Sequence, residues 1–299
     1  MNDRTQGKVE GGGGGGGDGS EGLGKVIYPI FDLISSPDLP NRVRLAYPRR
    51  PEDDIHLFRI RTSPSVMGFI PKYRKVMQDF TLAKTTEQRI EQTADPDRLT
   101  FTAFDDRNQE EQRYIGNIGF HGLTKRGQGG QGERDSSGGK VVEVGIVLSP
   151  WSKGKGYVNE VMFNLLDFGF RGSEEGGGTL MVRPSPDPYR PLRLFPEEWQ
   201  DRTRPPLGFG VGTMKFATSR RNQAMRYWLE VTMELVPLPD DRLTEQEKQD
   251  RRDWGEEDAL VFYELFKTDW DQRLRSKLEA KIRASAAKRA MEQTTSPSA

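Results

Sequence analysis

Val141-Val-Glu-Val-Gly-Ile-Val-Leu148 runs directly into Ser149-Pro-Trp-Ser-Lys-Gly-Lys-Gly156, and that into Tyr157-Val-Asn-Glu-Val-Met-Phe-Asn-Leu-Leu166. The first segment is β-branched and apolar on both faces, the pattern of a strand inside a sheet. The third sets Val158, Val161, Met162, Leu165 and Leu166 at i, i+3, i+4, i+7 and i+8, one apolar face of a helix. Between them, Gly154 and Gly156 let backbone N–H groups converge just ahead of a helix N-terminus. Such a turn cradles an anion, because the amides point outward and the helix dipole favours negative charge. Lys153 and Lys155 add positive charge at the rim, and a diphosphate fits the site. A Gly-x-Gly turn alone is weak, and a lysine-bearing surface turn is the plain alternative. The order strand, tight glycine turn, helix is what strengthens the reading.

Outward from this segment, the chain alternates strands and helices. Residues 42–47, 98–104 and 114–123 alternate as strands do. Pro51-Glu-Asp-Asp54 starts a helix, with proline in its first turn and acids at the positive end of the dipole, and a second helical stretch covers 71–92. After the central helix, residues 171–211 hold seven prolines and several glycines and read as an insertion on the surface. Met214-Lys-Phe-Ala-Thr218 resumes a strand, Asn222 to Glu230 is a short helix, 240–257 is a charged loop or short exposed helix, and Ala259 to Phe266 is a last strand. This order predicts one mixed α/β domain. Its expected limits are 25–268, between a disordered Gly-rich tail at 1–24 and a charged helix and tail at 269–299. The loop at 126–139 is long, glycine-rich and charged.

Bulk composition narrows the function. Of 299 residues, 45 are Lys or Arg and 45 Asp or Glu, so the formal net charge is zero. No overall positive field draws the protein to nucleic acid or an anionic membrane, and neither is an expected partner. No apolar run is long enough to span a bilayer. The chain has no cysteine, which excludes disulfides, thiolate zinc sites and a cysteine nucleophile. No metal-ligand spacing occurs, and no metal is expected. A cytoplasmic setting fits, with a nuclear one as the alternative. Gly19-Ser-Glu-Gly-Leu-Gly-Lys25 looks like a phosphate loop but lacks the following Ser or Thr and the preceding strand.

Glu143-Val-Gly-Ile146, Leu148-Ser-Pro150, Gly154-Lys-Gly-Tyr157, Glu160 and Leu165-Leu-Asp-Phe-Gly-Phe170 together resemble motif A of the GCN5-related N-acetyltransferases, the GNAT superfamily. The branch they resemble most includes the ribosomal-protein alanine acetyltransferases. Trp151 departs from the Gln or Arg usual at the head of that family's loop. Asn222-Gln-Ala-Met-Arg-Tyr-Trp-Leu-Glu230 is similar to its Asn-led helix, and Ile115-Gly-Asn-Ile-Gly-Phe120 to its third strand. The resemblance spans about 42–266. It implies a mixed, mostly antiparallel central sheet flanked by helices, acetyl-CoA as acyl donor, and an amine acceptor (a protein N-terminus, a lysine or a small amine). It also implies that backbone groups of Ile146, Val147 and Leu148 pair with the pantetheine arm as an added strand. Amides from Ser152 through Lys153, Gly154, Lys155 and Gly156 to Tyr157 then hold the pyrophosphate, and Asn222 contacts the pantetheine.

Direct transfer needs a neutral amine, and an alkylammonium holds its proton up to about pH 10.4. Glu143 is the expected base, in an apolar strand where burial would raise its pKa. The plain alternative is a strand Glu in a salt bridge on the far face. Many family members carry a Tyr acid seven residues after the signature Asn; here that position is Leu229, and Tyr227 lies about 200° round the helix. Glu160 reads as structural. His56 and His121 are the only histidines, and His121 ends the third-strand motif. The empty acid position also supports a different class of function, a non-catalytic acyl-CoA-binding module.

Overall fold

The computed structural model describes residues 27–28, 31–35, 38–48, 52–70, 77–95, 97–107, 113–123, 140–171, 180–184, 193–194 and 210–295. The expected tail at 1–24, the loop at 126–139 and most of 171–211 lie outside them.

Two residues at β1 (Ile27–Tyr28) pair with β8 (Arg193–Leu194) in a small separate ribbon. The main sheet contains β2 (Phe31–Ser35), β3 (Val43–Ala46), β4 (Arg98–Asp105), β5 (Arg113–His121), β6 (Lys140–Leu148), β7 (Leu180–Pro184), β9 (Val211–Ser219) and β10 (Leu260–Phe266). Their spatial order is β10-β9-β6-β5-β4-β3-β2-β7. Every neighbouring pair is antiparallel except β6 with β9. The sheet is therefore mixed and mostly antiparallel, as expected. Two strands at one end of the sheet were not expected. β2 precedes the first strand read from the pattern, and β7 falls within the segment read as a surface insertion. Five residues of each pair along the whole of β2, so this part of 171–211 extends the sheet. Its sequence, Leu-Met-Val-Arg-Pro184, is too short to stand out among glycines and prolines.

Helices cover both faces. On one lie α1 (Glu52–Arg61) and α2 (Leu82–Ala94). α2 begins where Thr81 accepts from Lys84 N, an N-cap within the stretch read as already helical from 71; residues 71–76 lie outside the described ones. On the opposite face, α3 (Tyr157–Phe170) buries nearly its full circumference. Its apolar residues pack on Phe101, Phe120 and Met214 of the sheet on one side and Trp270, Leu274, Leu278 and Ile282 on the other. Those last residues come from the C-terminal segment. The chain turns through a π-helical stretch at Trp270–Leu274 and continues as the long terminal helix Arg275–Thr295. The segment expected to lie beyond the domain as a charged helix and tail thus supplies part of the core. α4 (Gln223–Tyr227) follows β9 and widens into a π turn at Trp228–Thr232. α5 (Glu245–Asp253) starts with a full capping box between Thr244 and Glu247.

Candidate active site

The parallel pair β6 and β9 joins only at one end. Lys140 to Glu143 face Val211 to Lys215, and beyond Glu143 the strands share no further residue pairs. β6 nevertheless stays paired with β5 out to Leu148. Residues 144–148 therefore line one arm of a fork, with backbone groups facing β9 across a gap. At about 3.3 Å per residue these five residues span roughly 16 Å. Ile146, Val147 and Leu148 lie along this arm, at the positions where an added strand would pair.

The outer end of the fork leads into the glycine turn. Pro150–Ser152 form a single 3-10 turn, held to β5 by Ser149 N–H on the Ile115 carbonyl at 2.7 Å and by Trp151 Nε1–H on the Tyr114 carbonyl at 2.9 Å. The indole at Trp151 thus anchors the turn, a role a flexible Gln or Arg would fill less rigidly. Gly154 and Gly156 have φ of 75° and 79°, the left-handed region that side chains avoid. A Cβ at either would meet no atom within 4 Å, so space is open over both. The amides divide into two groups. Those of Ser152, Lys153 and Lys155 donate to Ser149, Pro150 and Ser152 carbonyls within the turn. Among the described residues, Gly154 and Gly156 donate to no backbone acceptor, and Tyr157 begins a helix whose first N–H groups have no intrahelical partner. Of the six residues expected to hold a pyrophosphate, Gly154, Gly156 and Tyr157 are those whose amides meet no backbone acceptor among the described residues. Lys153 and Lys155 are exposed beside them, with Lys155 Nζ 4.8 Å from the Trp151 ring centroid.

One buried ion pair fixes the turn from below. Glu160 is only 1% exposed. It accepts from Arg42 N at 2.6 Å, Nε at 2.9 Å and Nη2 at 2.7 Å, and the same Nη2 reaches the Lys155 carbonyl at 2.9 Å. The Arg42 guanidinium lies 4.0 Å over the Tyr157 ring. The Tyr157 hydroxyl bonds Asp105 Oδ2 at 2.5 Å, and burial with this bond pushes its pKa up to about 12. Glu160 is structural, as read from the sequence. Arg42 and Asp105 were not singled out, and no local pattern marks either.

The far arm of the fork is bridged to the helix. Trp228 Nε1–H donates to Asn159 Oδ1 at 2.8 Å, tying the π turn after α4 to the first turn of α3. Asn222 caps α4, its side chain accepting from Met225 N at 3.2 Å. Leu229 lies wholly in the core, whereas Tyr227 is 64% exposed. Neither offers a buried acid here.

At the fork's apex stands Glu143. Its burial was expected and is not found: the residue is exposed. Val142 and Val144 turn into the core beside α3, so Glu143 and Gly145 point to the opposite face. There Glu143 pairs in register with His121 on β5 and with Lys215 on β9. Lys215 Nζ lies 3.2 Å from Glu247 and 3.8 Å from Glu264. The imidazole of His121 leans over Gly145, where an added Cβ would come within 2.9 Å of Nε2. Burial, and then the nearby Arg98, hold the His121 pKa below its ordinary value. Among the described residues, no group of His, Asp and Glu is placed to hold a metal ion, and no helix is long and apolar enough to cross a membrane.

The family model described as an acetyltransferase (GNAT) domain matches residues 42–230. No curated protein sequence matches the chain. Solved structures with a similar fold include Mycobacterium smegmatis RimJ in complex with CoA-disulfide, at 11% identity and TM-score 0.47, covering 85% of this chain and 93% of that one. A GCN5-related N-acetyltransferase from Brucella melitensis matches at 12% identity and TM-score 0.47, covering 81% and 82%. A spermidine N-acetyltransferase SpeG chimera from Vibrio cholerae and hSSAT matches at 11% identity and TM-score 0.45, covering 78% and 99%.

Proposed function

The chain belongs to the GNAT acetyltransferase family, whose model matches residues 42–230, and on that premise we propose that it moves an acetyl group from acetyl-CoA directly onto an amine. The observation that carries this is the fork between β6 and β9, which opens at Glu143 and ends at the glycine turn. Open strand edges, helix-start amides without a backbone acceptor among the described residues, and clear space over two glycines suit an extended pantetheine arm that ends in a diphosphate. Bound there, acetyl-CoA supplies an activated acyl carbon whose thiolate leaves without strong acid help.

The chain's own residues would act as follows. Ile146, Val147 and Leu148 offer strand N–H and C=O groups to the arm. The amides of Gly154, Gly156 and Tyr157 meet the pyrophosphate, with Lys153 and Lys155 adding charge. Asn222, with its amide NH2 left over from capping, is the candidate polar contact on the other arm. Glu143 stands where the acyl group would come to rest. Exposed as it is, its carboxylate attracts a cationic amine to the fork's apex, where the ammonium loses its proton to solvent before reaction.

Calorimetry with acetyl-CoA tests the first half; a protein that takes up none is not a GNAT enzyme of this design. A thiol-release assay over protein N-terminal peptides, lysine and small amines tests the second. Leu229, buried where the family places an acid, favours a second reading, acyl-CoA binding without transfer. That reading is supported if binding occurs and no amine in the panel is acetylated.

A further inference from the structure

Resting on the transferase reading, we propose that His121 is the proton-transfer residue of this site, serving as base for the acceptor amine and then as acid for the departing thiol. β5 and β6 are antiparallel, with His121 opposite Glu143 and Gly119 opposite Gly145. The imidazole does not stand over its direct partner alone. It leans diagonally so that Nε2 lies over Gly145, the one position on this face of β6 with no side chain between the ring and the backbone. Gly145 is two residues past the last β6–β9 pair, so the ring sits at the inner end of the fork. An extended arm fixed at the glycine turn and laid along Leu148, Val147 and Ile146 brings its reactive end to this point.

The chemistry then asks for one group that is neutral at pH 7 and can both take and return a proton. The groups facing His121 are Arg98 on β4, Asp95 and Asp97 just before it, Glu143 on β6, and Lys215 beyond Glu143 on β9. Burial is the largest influence and disfavours the charged ring; Arg98 acts the same way, while Asp97 and Asp95 oppose it. The Asp97 and Asp95 carboxylates, which act against burial, steady the imidazolium once it forms. The acceptor enters as the free amine, its ammonium proton already lost to solvent. As its nitrogen bonds to the acyl carbon, Nε2 takes the proton that nitrogen sheds. As the C–S bond breaks, the same proton passes from Nε2 to sulfur, and the products are the amide and the free thiol. One ring thus covers the acid role that Leu229 cannot perform.

The chain's two histidines make the test spectroscopic as well as kinetic. In protein labelled in its imidazole rings, a titration should show one histidine with a pKa below 6.5, absent in His121→Asn and retained in His56→Asn. Added CoA should shift that resonance and leave His56 in place. His121→Asn should keep acetyl-CoA affinity by calorimetry, which also reports a folded site, while kcat falls by about 10²-fold or more. The acid limb of the wild-type pH–rate profile should vanish with it. Gly145→Ala, which pushes against Nε2, should depress kcat in the same way. The proposal is overturned if His121→Asn turns over within about twofold of wild type, or if CoA leaves the His121 resonance unmoved. A wild-type protein that binds acetyl-CoA and acetylates nothing instead defeats the transferase reading, and the base assignment with it.

Discussion

Arg42 and Glu160 meet across the start of α3 as a bidentate, nearly dry pair, with side chains 8% and 1% exposed. Removing one member of such a pair leaves an uncompensated buried charge, which costs about 3–5 kcal/mol. Glu160→Ala should lower stability by that order in urea denaturation. It should also weaken acetyl-CoA binding, because Arg42 would lose its hold on the Lys155 carbonyl. A stable variant with unchanged affinity would show that the pair does not shape the turn. His121 gives a second residue-scale effect. Its folded pKa lies below the ordinary 6.5, so the unfolded chain binds the proton first. Stability linked to the neutral ring is therefore full above 6.5 and lost as pH falls from there through the lower folded value. Wild-type melting temperature should drop more steeply than that of His121→Asn as pH is lowered from neutrality. Glu160 was read as structural from its place in the helix after the glycine turn. Arg42 was not, because its partner is 118 residues away.

The turn from Ser149 to Gly156 works as a unit between a strand end and a helix start. Both glycines occupy the left-handed region, and open space surrounds each. Substitution there meets backbone strain and no clash. Gly156→Ala should cost about 1–2 kcal/mol, seen as a lower urea midpoint, with a matching loss of acetyl-CoA affinity as the Gly156 and Tyr157 amides rotate. The glycines themselves were legible from sequence, since few other residues tolerate this conformation ahead of a helix. Which amides remain open was not. That depends on Ser152, Lys153 and Lys155 N–H groups folding back onto their own turn, a detail of 3-10 geometry that residue types do not encode. The π turn at Trp228–Thr232 is a similar case. It sends Leu229 into the core and Trp228 toward Asn159, while a regular helix was the sequence expectation.

At the scale of the whole molecule, the C-terminal helix completes the core on the outer side of α3. Leu274, Leu278 and Ile282 are buried against it. Ile282→Ala should cost about 3 kcal/mol, and ending the chain before Arg275 should expose the apolar back of α3 and give insoluble protein. Size-exclusion chromatography with thermal melts checks both; a soluble, cooperatively melting truncation would place the helix outside the folding unit. Arg273 and Lys277 pair with Glu234, and Arg275 pairs with Asp167. These basic residues of the charged helix thus also tie it down. The spacing of Leu274, Leu278 and Ile282 was present in the sequence, but their dense charged neighbours masked it.

The sequence by itself determined the strand at 141–148, the glycine turn and the helix after it, because periodicity and left-handed backbone are local properties carried by residue type. From those followed the fold class and the expectation of a diphosphate at the turn. Only the tertiary structure decided what stands at the fork's apex. Glu143 proves exposed and His121 leans over Gly145 because two antiparallel strands happen to pair in that register. Register is a long-range choice, set by the packing of both faces of the sheet at once. The added strand within 171–211 and the burial of the terminal helix have the same origin, since each is stabilised by partners far away in the chain.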